Sequence, residues 1–239
     1  MLDLLFPPQC LSCGARLQRK QRDAFLCPDC AVTLEKEMLR LCPSCHRSVR
    51  SCRCVPEDFL PDGLCSLFLY DEKNGVGRRL ILFCKNRCRA AVFRFFGERL
   101  ASAAARRRLT APGTLVTYVP RSPEKQAKAG HDQAKELCRC FARSASLPAA
   151  SVLHHALFAG EQKRKGAEER QNSSRQSYRL LPGAARKVRN RNVLLVDDVV
   201  TTGATVNACT ALLKEAGARS VVCVTAAKTY LKPNGGSHE

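Results

Sequence analysis

The chain has 239 residues, and its 40 lysines and arginines outnumber its 21 aspartates and glutamates, which gives a net charge of +19. This length suits one small module plus one α/β domain, and the positive charge favours polyanionic ligands with salt-sensitive affinity. No segment approaches the roughly 20 apolar residues of a membrane span, and the stretch before the first cysteine lacks the basic region of a secretory signal. We therefore expect a cytoplasmic protein without membrane insertion.

Cysteines dominate the N-terminal part of the chain. Eight of the 15 cysteines lie within the first 54 residues, mostly in pairs separated by two residues. Such spacing lets two thiolates reach one tetrahedral metal, and a closed shell of four thiolates indicates a structural Zn²⁺ site. The simplest grouping predicts two Zn²⁺ ions over residues 1–60, held by Cys10, Cys13, Cys27 and Cys30 and by Cys42, Cys45, Cys52 and Cys54. A cross-braced pairing and a disulfide framework, which needs an oxidising compartment, are the alternatives.

Short apolar runs alternate with amphipathic stretches beyond this module. The pattern predicts strands at 63–70, 115–119, 152–158, 193–196 and 220–226, and helices at 79–108 and 132–145. Strands that alternate with helices favour a parallel sheet with right-handed crossovers. We therefore expect an α/β domain over residues 61–239, a parallel sheet flanked by helices. Ligands bind to such a sheet at the carboxyl ends of the strands.

The segment 193–205 is the strongest functional signal of the chain. A buried strand of four apolar residues ends in Asp197 and Asp198, and a Thr/Gly loop then opens an amphipathic helix. Free backbone N–H groups and the positive helix end suit a phosphate, and adjacent carboxylates can accept sugar hydroxyls. The pattern predicts a ribose 5-phosphate site. The alternative is a buried strand that meets an ordinary capped turn and carries surface aspartates.

This run resembles the PRPP-binding motif of type I phosphoribosyltransferases, where two acidic residues precede a Thr-Thr-Gly-X-Thr loop. The resemblance implies that Asp197 and Asp198 bind the ribose hydroxyls and that one of them stabilises positive charge during catalysis. It also implies Mg²⁺ bound with PRPP and displacement of pyrophosphate from the ribose. The 5-phosphate would be held by Thr201, Thr202, Gly203, Ala204 and Thr205.

Two more segments take roles from this resemblance. The loop after the first core strand of such enzymes receives the pyrophosphate, and the polar segment 162–178 stands where the fold has a mobile lid. The residues concerned are Pro120, Arg121 and Ser122 in the loop and Lys163, Arg170 and Asn172 in the lid. A plain strand exit with a surface arginine and a solvated, partly disordered helix are the respective alternatives.

The layout of the whole chain resembles the ComF/GntX family of competence-related proteins. Residues 6–14 (Phe-Pro-Pro-Gln-Cys-Leu-Ser-Cys-Gly) match the family's opening, and Gly130-His131-Asp132-Gln133 stands where the family has Gly-Phe-Asn-Gln. His131 replaces the usual aromatic residue, and Ala129 replaces the usual arginine. The resemblance implies an N-terminal zinc ribbon, a C-terminal type I phosphoribosyltransferase domain and a link to natural competence.

Two functions follow as hypotheses. The first is a phosphoribosyltransferase-fold protein that binds PRPP or a ribonucleotide, with an acceptor that the sequence does not identify. The alternative is a non-enzymatic DNA-uptake factor that binds single-stranded DNA or helicase and recombination proteins, with the fold as a scaffold or nucleotide sensor. Ten basic residues against two acidic ones between 162 and 191 motivate the alternative. Aromatic residues make up only 6% of the chain, which argues against a base-stacking platform.

Overall fold

Four strands build the central sheet of the computed structural model, which describes residues 8–17, 24–56, 58–70, 75–156 and 177–229. The strands are β1 (Gly63–Leu69), β2 (Leu115–Tyr118), β3 (Leu153–His155), β4 (Tyr178–Leu180), β5 (Asn192–Val200) and β6 (Ser220–Lys228). The helices are α1 (Pro28–Leu39), α2 (Val76–Asn86), α3 (Ala90–Arg106), α4 (Pro123–Ala129), α5 (Gln133–Ser144), α6 (Ala184–Val188) and α7 (Ala204–Glu215). The sheet has the order β1-β6-β5-β2 and all its pairs are parallel, which confirms the expected fold class.

Both faces of the sheet are covered, which explains why β5 begins as an uninterrupted apolar run. Leu194 and Val196 point to a first face, where they share a core with residues of α2, α3 and α5. Val193 and Leu195 point to the second face, where they share a separate core with residues of α6 and α7. Side chains alternate between faces along a strand, so the position of a residue on β5 determines which helices it meets.

The cysteine-rich module joins the core of the first face through α1. Met38 of α1 is fully buried in the same cluster as Phe68 of β1. The buried carboxylate of Glu37 (8% exposed) accepts the N–H groups of Val76 at 2.7 Å and Gly77 at 2.9 Å. The first N–H groups of a helix lack intrahelical partners, so Glu37 caps α2 from the module. The module is therefore packed against the sheet rather than tethered to it.

The single helix expected over 79–108 is wrong, because the chain forms two helices there. The backbone becomes extended at Arg87, with φ −141° and ψ 128°, and α3 starts at Ala90. Residues 85–89 (Lys-Asn-Arg-Cys-Arg) offer no large apolar side chain that a continuous helix could bury. The break lets both helices turn their apolar stripes toward the first face. No helix in the described ranges is long and apolar enough to cross a bilayer.

The strand expected over 152–158 does not join the parallel sheet. Its described part, β3, pairs antiparallel with β4, and residues 157 and 158 lie outside the described ranges. The edge next to β2 is occupied by the preceding residues, where Val116 donates to the Pro148 carbonyl at 2.9 Å and accepts from Ala150 at 3.0 Å. Pro148 has no N–H group to extend a ladder, so the pairing stops after one bridge. The expected strands at 63, 115, 193 and 220 and the helix at 132 are confirmed.

Candidate functional site

The two aspartates of the candidate phosphate site lie inside β5 and not at its end. Val199 and Val200 continue the pairing with Ala227 and Lys228 of β6, so the strand runs two residues past Asp198. The expectation that the strand ends at the carboxylates is therefore wrong. Because side chains alternate, Asp197 lies on the second face, the face of α7, and Asp198 lies on the first face.

Asp197 is half-buried on the second face. Burial and the adjacent Asp198 carboxylate raise the pKa of Asp197 well above its usual value. One carboxylate oxygen, Oδ1, accepts the Asp198 N–H at 2.8 Å. Neighbouring groups include Cys209 of α7 and Tyr178 of β4, whose pKa values the Asp197 charge helps to raise. In the described part of the chain no lysine or arginine forms an ion pair with Asp197.

Asp198 borders a small, largely apolar cavity between the sheet and the helices of the first face. The cavity is lined by Cys84 of α2, Phe93 of α3 and Gln133 of α5, among others. Gln133 is 6% exposed, and its Nε2 atom has no hydrogen-bond partner among the described residues. The sequence pattern assigned no role to Gln133, although it belongs to the Gly-His-Asp-Gln motif at 130–133. The Asp198 carboxylate and the unpaired Gln133 amide therefore line the same apolar cavity.

The Thr/Gly loop connects the end of β5 to the start of α7. Gly203 caps the helix with a left-handed backbone (φ +82°), and its carbonyl accepts the Asn207 N–H at 2.8 Å. Thr201 and Thr202 are exposed, whereas Thr205 is half-buried and lies near Tyr178 of β4. The first N–H groups of a helix lack intrahelical partners and suit an anion. Because Tyr178 is a neighbour of both Thr205 and Asp197, the loop lies on the same face of the sheet as Asp197.

The loop after β2, which contains Pro120, Arg121 and Ser122, lies beside the carboxyl end of β5, because the Val119 N–H donates to the Val196 carbonyl at 2.9 Å. The buried carboxylate of Asp132 organises this loop. Its Oδ2 atom accepts the Arg121 N–H at 2.9 Å and the Gln126 side chain at 3.0 Å, while Oδ1 caps α5. The Arg121 guanidinium contacts the Lys85 carbonyl at 3.4 and 3.5 Å. The lid residues Lys163, Arg170 and Asn172 lie outside the described residues.

Eight cysteines form two clusters of four. The sulfur atoms within each cluster lie within 4.8 Å of one another, and the groups are Cys10, Cys13, Cys27 and Cys30 and then Cys42, Cys45, Cys52 and Cys54. The structure therefore shows the sequential grouping. Zn–S bonds of about 2.3 Å in a tetrahedron separate sulfurs by about 3.8 Å. The Cys13–Cys27 and Cys45–Cys52 sulfurs are 3.7 and 3.6 Å apart, and all fifteen cysteines are free thiols, so both clusters could hold zinc.

The acidity of these thiols also fits a cation. Burial raises the pKa of the Cys10 thiol, but hydrogen bonds from nearby backbone N–H groups outweigh it and lower the pKa to about 6. The same balance, together with a hydrogen bond from Cys52, lowers the pKa of Cys42 to about 6. Burial and neighbouring sulfurs raise the pKa of Cys30 and Cys54 to about 12. Four sulfurs that cannot ionise together without a cation are typical of a metal-binding cluster.

The family of phosphoribosyl transferase domains matches residues 147–237, which include β5, the Thr/Gly loop, α7 and β6. The C-terminal part of the chain is thus similar to phosphoribosyl transferase domains. Over nearly its whole length the chain is similar to competence protein ComFC of Streptococcus pneumoniae (strain ATCC BAA-255 / R6). The two are 28% identical over 233 residues, which cover 89% of this chain and 96% of that protein. With the cysteine clusters, these findings confirm the resemblance to the ComF/GntX family.

Several solved structures are similar to part of the chain. The phosphoribosylpyrophosphate synthetase of Mycobacterium smegmatis is 18% identical with a TM-score of 0.37, over 57% of this chain and 34% of the synthetase. The glutamine PRPP amidotransferase of B. subtilis is 18% identical with a TM-score of 0.39, over 55% and 25%. A hypoxanthine phosphoribosyltransferase of Staphylococcus aureus is 14% identical with a TM-score of 0.37, over 60% and 68%. The chain thus spans about a third or less of the first two proteins.

Proposed function

We propose that this protein binds PRPP or a ribonucleotide at the loop between β5 and α7 and that it acts in natural competence. The observation that carries the proposal is the meeting of Asp197, the Thr/Gly loop and the N-terminus of α7 on one face at the carboxyl edge of the sheet. A phosphate and a sugar need these two kinds of partner side by side. The similarity to competence protein ComFC supports the physiological part of the proposal.

Each part of the site would bind a different part of the ligand. The 5-phosphate would accept hydrogen bonds from Thr201, Thr202, Thr205 and the backbone N–H groups of residues 202–206. Asp197, which shares a face with the Thr/Gly loop, would accept a ribose hydroxyl. Asp198 lies on the first face and would reach the second hydroxyl only around the carboxyl edge of the sheet. Carboxylate oxygens are also the ligands that Mg²⁺ prefers, and Mg²⁺ bound with the diphosphate would neutralise its charge. A ligand or cation would also compensate the unfavourable burial of the Asp197 carboxylate.

If the protein turns over PRPP, pyrophosphate leaves the anomeric carbon of the ribose and a nucleophile takes its place. The loop of Pro120, Arg121 and Ser122 would receive the pyrophosphate, with Asp132 as the residue that positions the loop. Reaching a ligand requires the Arg121 guanidinium to leave the Lys85 carbonyl, to which its contacts are long. The two cysteine clusters would each hold a structural Zn²⁺.

Calorimetry with PRPP and ribose 5-phosphate in the presence of Mg²⁺ tests this proposal. The double substitution Asp197→Asn and Asp198→Asn is expected to abolish binding and to leave the fold intact. Asp29→Asn, at an exposed aspartate on α1, is the control and should bind as the wild type does. Unchanged affinity in the double variant contradicts the assigned role. Pyrophosphate release measured with a panel of bases then decides between turnover and binding alone.

A basic surface favours a second candidate, the non-enzymatic DNA-uptake factor. Arg94 of α3 and Arg139 and Arg143 of α5 are exposed and lie close enough to Cys140 for their charges to lower its pKa, although burial raises it overall. The two helices approach closely, because a Cβ on Gly97 would lie 2.8 Å from the Cys140 backbone. Arg139 forms an ion pair with Glu136 at 3.5 Å, and the cluster of three arginines keeps an excess of positive charge that would give salt-sensitive affinity for a phosphate backbone.

The salt dependence of single-stranded DNA binding tests this second candidate. Replacement of the three arginines by glutamine should weaken binding evenly across sequences. It should also flatten the log–log salt slope by about 0.7 for each phosphate group that the variant no longer neutralises. Arg186→Gln, at an exposed residue on α6, is the control. A slope equal to that of the wild type excludes this surface as the DNA interface.

A further inference from the structure

The chain that leaves the second cysteine cluster passes beside the Thr/Gly loop, residues 201–205, which we call the phosphate loop from here on. We name residues 54–60, of which 57 lies outside the described residues, the cover segment. Phe59 and Pro56 of this segment lie against Gly203. A Cβ on that glycine would lie 3.0 Å from Phe59 Cδ2 and 3.6 Å from Pro56 Cγ. Phe59 and Pro56 therefore lie so close to Gly203, the N-cap residue of α7, that a side chain there would crowd Phe59.

The cover segment is held at its far end by side chains of α7. The Asn207 side-chain amide donates to the Asp58 carbonyl at 2.7 Å and accepts the Leu60 N–H at 2.9 Å. The Lys214 ammonium donates to the Leu60 carbonyl at 3.0 Å. The described part of the segment contains no helix or strand. Its position therefore depends on what holds its two ends, and Cys54, a member of the second cluster, is its near end.

A buried lysine ties the second cluster to the other side of the phosphate loop. Lys228, at the end of β6 and 6% exposed, donates to Cys52 Sγ at 3.1 Å and to the Cys54 carbonyl at 3.0 Å. A buried ammonium needs an anionic or strongly polar partner, and a metal-bound thiolate supplies one. The Lys228 backbone pairs with Val200, and the Thr229 N–H donates to the Val200 carbonyl at 2.9 Å. The second cluster is thus connected to both ends of the phosphate loop.

We propose that the second cysteine cluster positions the phosphate loop. Metal in the cluster fixes Cys52 and Cys54, which in turn hold Lys228 and the cover segment against the two ends of the loop. By reciprocity, a phosphate ligand in the loop tightens the hold of the cluster on its metal. This ligand-linked part rests on the function proposed above. The first cluster contacts a different region, since Ser12 beside Cys13 accepts a hydrogen bond from Arg79 of α2 at 2.8 Å.

Amide hydrogen exchange of the metal-loaded full chain tests the positioning role without any ligand. Lys228→Met removes the ammonium, and Phe59→Ala removes the contact with Gly203 and is the milder change. Both variants should exchange the amides of residues 201–207 at least about fivefold faster than the wild type, with the amides of β2 unchanged. Lys187→Met, at an exposed lysine on α6, is the matched control. Exchange at 201–207 equal to the wild type in both variants overturns the proposal.

Alkylation of the cysteines tests the reciprocal effect, with ribose 5-phosphate as the probe at a concentration that calorimetry shows to be saturating. Cys45 and Cys54 of the second cluster should react with iodoacetamide about fivefold more slowly in its presence. Cys13 and Cys27 of the first cluster are the internal controls and should react as before. Equal rates with and without ligand at the second cluster overturn the reciprocal coupling. If calorimetry detects no binding, the proposed ligand is wrong, and hydrogen exchange still decides the positioning role.

Discussion

Gly203→Ala perturbs the phosphate loop at one backbone position. The residue has φ +82°, where an alanine costs about 1–2 kcal/mol relative to the right-handed region. The new Cβ would also lie 3.0 Å from Phe59 Cδ2, and we add about 1 kcal/mol for this crowding. The free energy of unfolding should therefore fall by about 2–3 kcal/mol, which lowers the Tm by about 4–12 °C in a chain of this size. Affinity for ribose 5-phosphate should fall at least about tenfold, because the loop backbone is displaced.

Gly183→Ala is the matched control for this prediction. Gly183 also has a left-handed backbone at the start of a helix (φ +73°), but a Cβ there meets no atom within 4 Å. It should lose about 1–2 kcal/mol by the same backbone strain and keep the affinity of the wild type. Thermal unfolding and calorimetry on both variants separate strain from binding. Equal affinity in the two variants would refute the assignment of the phosphate to this loop.

Three other predictions concern charge, metal and helix capping. Asp197→Asn should raise the free energy of unfolding at pH 7. The pKa of Asp197 is higher in the folded than in the unfolded state, so the stability of the wild type falls as the pH rises above about 3.9. Denaturant unfolding at several pH values contradicts this if the difference in stability between variant and wild type does not shrink toward pH 4. Metal analysis of the purified chain should find two zinc ions, and chelation should unfold the module before the sheet, whereas absence of zinc contradicts the assignment. Glu37→Ala should cost about 2 kcal/mol or more through the uncapped N–H groups of α2, and Glu98→Ala, at an exposed residue of α3, should cost little.

The sequence predicted what local patterns encode. The apolar run before Asp197, the Thr/Gly loop and the paired cysteines are each complete within a few residues, and the structure contains a strand, a helix start and two four-sulfur clusters at these places. The break at Arg87 is marked in the sequence, because residues 85–89 carry no large apolar side chain and the buried residues of α2 and α3 would lie on opposite sides of one continuous helix. The prediction of a single helix over 79–108 missed this change of phase. The helix α4 is too short for a periodic apolar stripe, although Pro123 at its start and Gly130 at its end are recognisable boundary signals.

Contacts between distant residues could not be predicted from any pattern. Lys228 has the sequence context of a polar strand end, and its partner Cys52 lies 176 residues earlier in the chain. Asn207 has the context of an ordinary helix residue, yet it holds Asp58, 149 residues away. Asp197 and Asp198 lie on opposite faces of the sheet because β5 continues to Val200. Only the pairing of β5 with β6 shows that the strand extends this far. These contacts come from the tertiary fold, and they determine how the candidate site is supported.

The most direct test of the central claim is a titration of the isotope-labelled protein with ribose 5-phosphate and Mg²⁺, followed through the amide resonances. If the ligand binds as proposed, the largest shifts occur at the amides of Gly203, Ala204, Thr205 and Val206, with smaller shifts at Asp197 and Asp198 and none in the first cysteine cluster. Shifts confined to other regions of the chain, or no shifts at millimolar ligand, contradict the claim that this loop binds the phosphate of a ribose ligand.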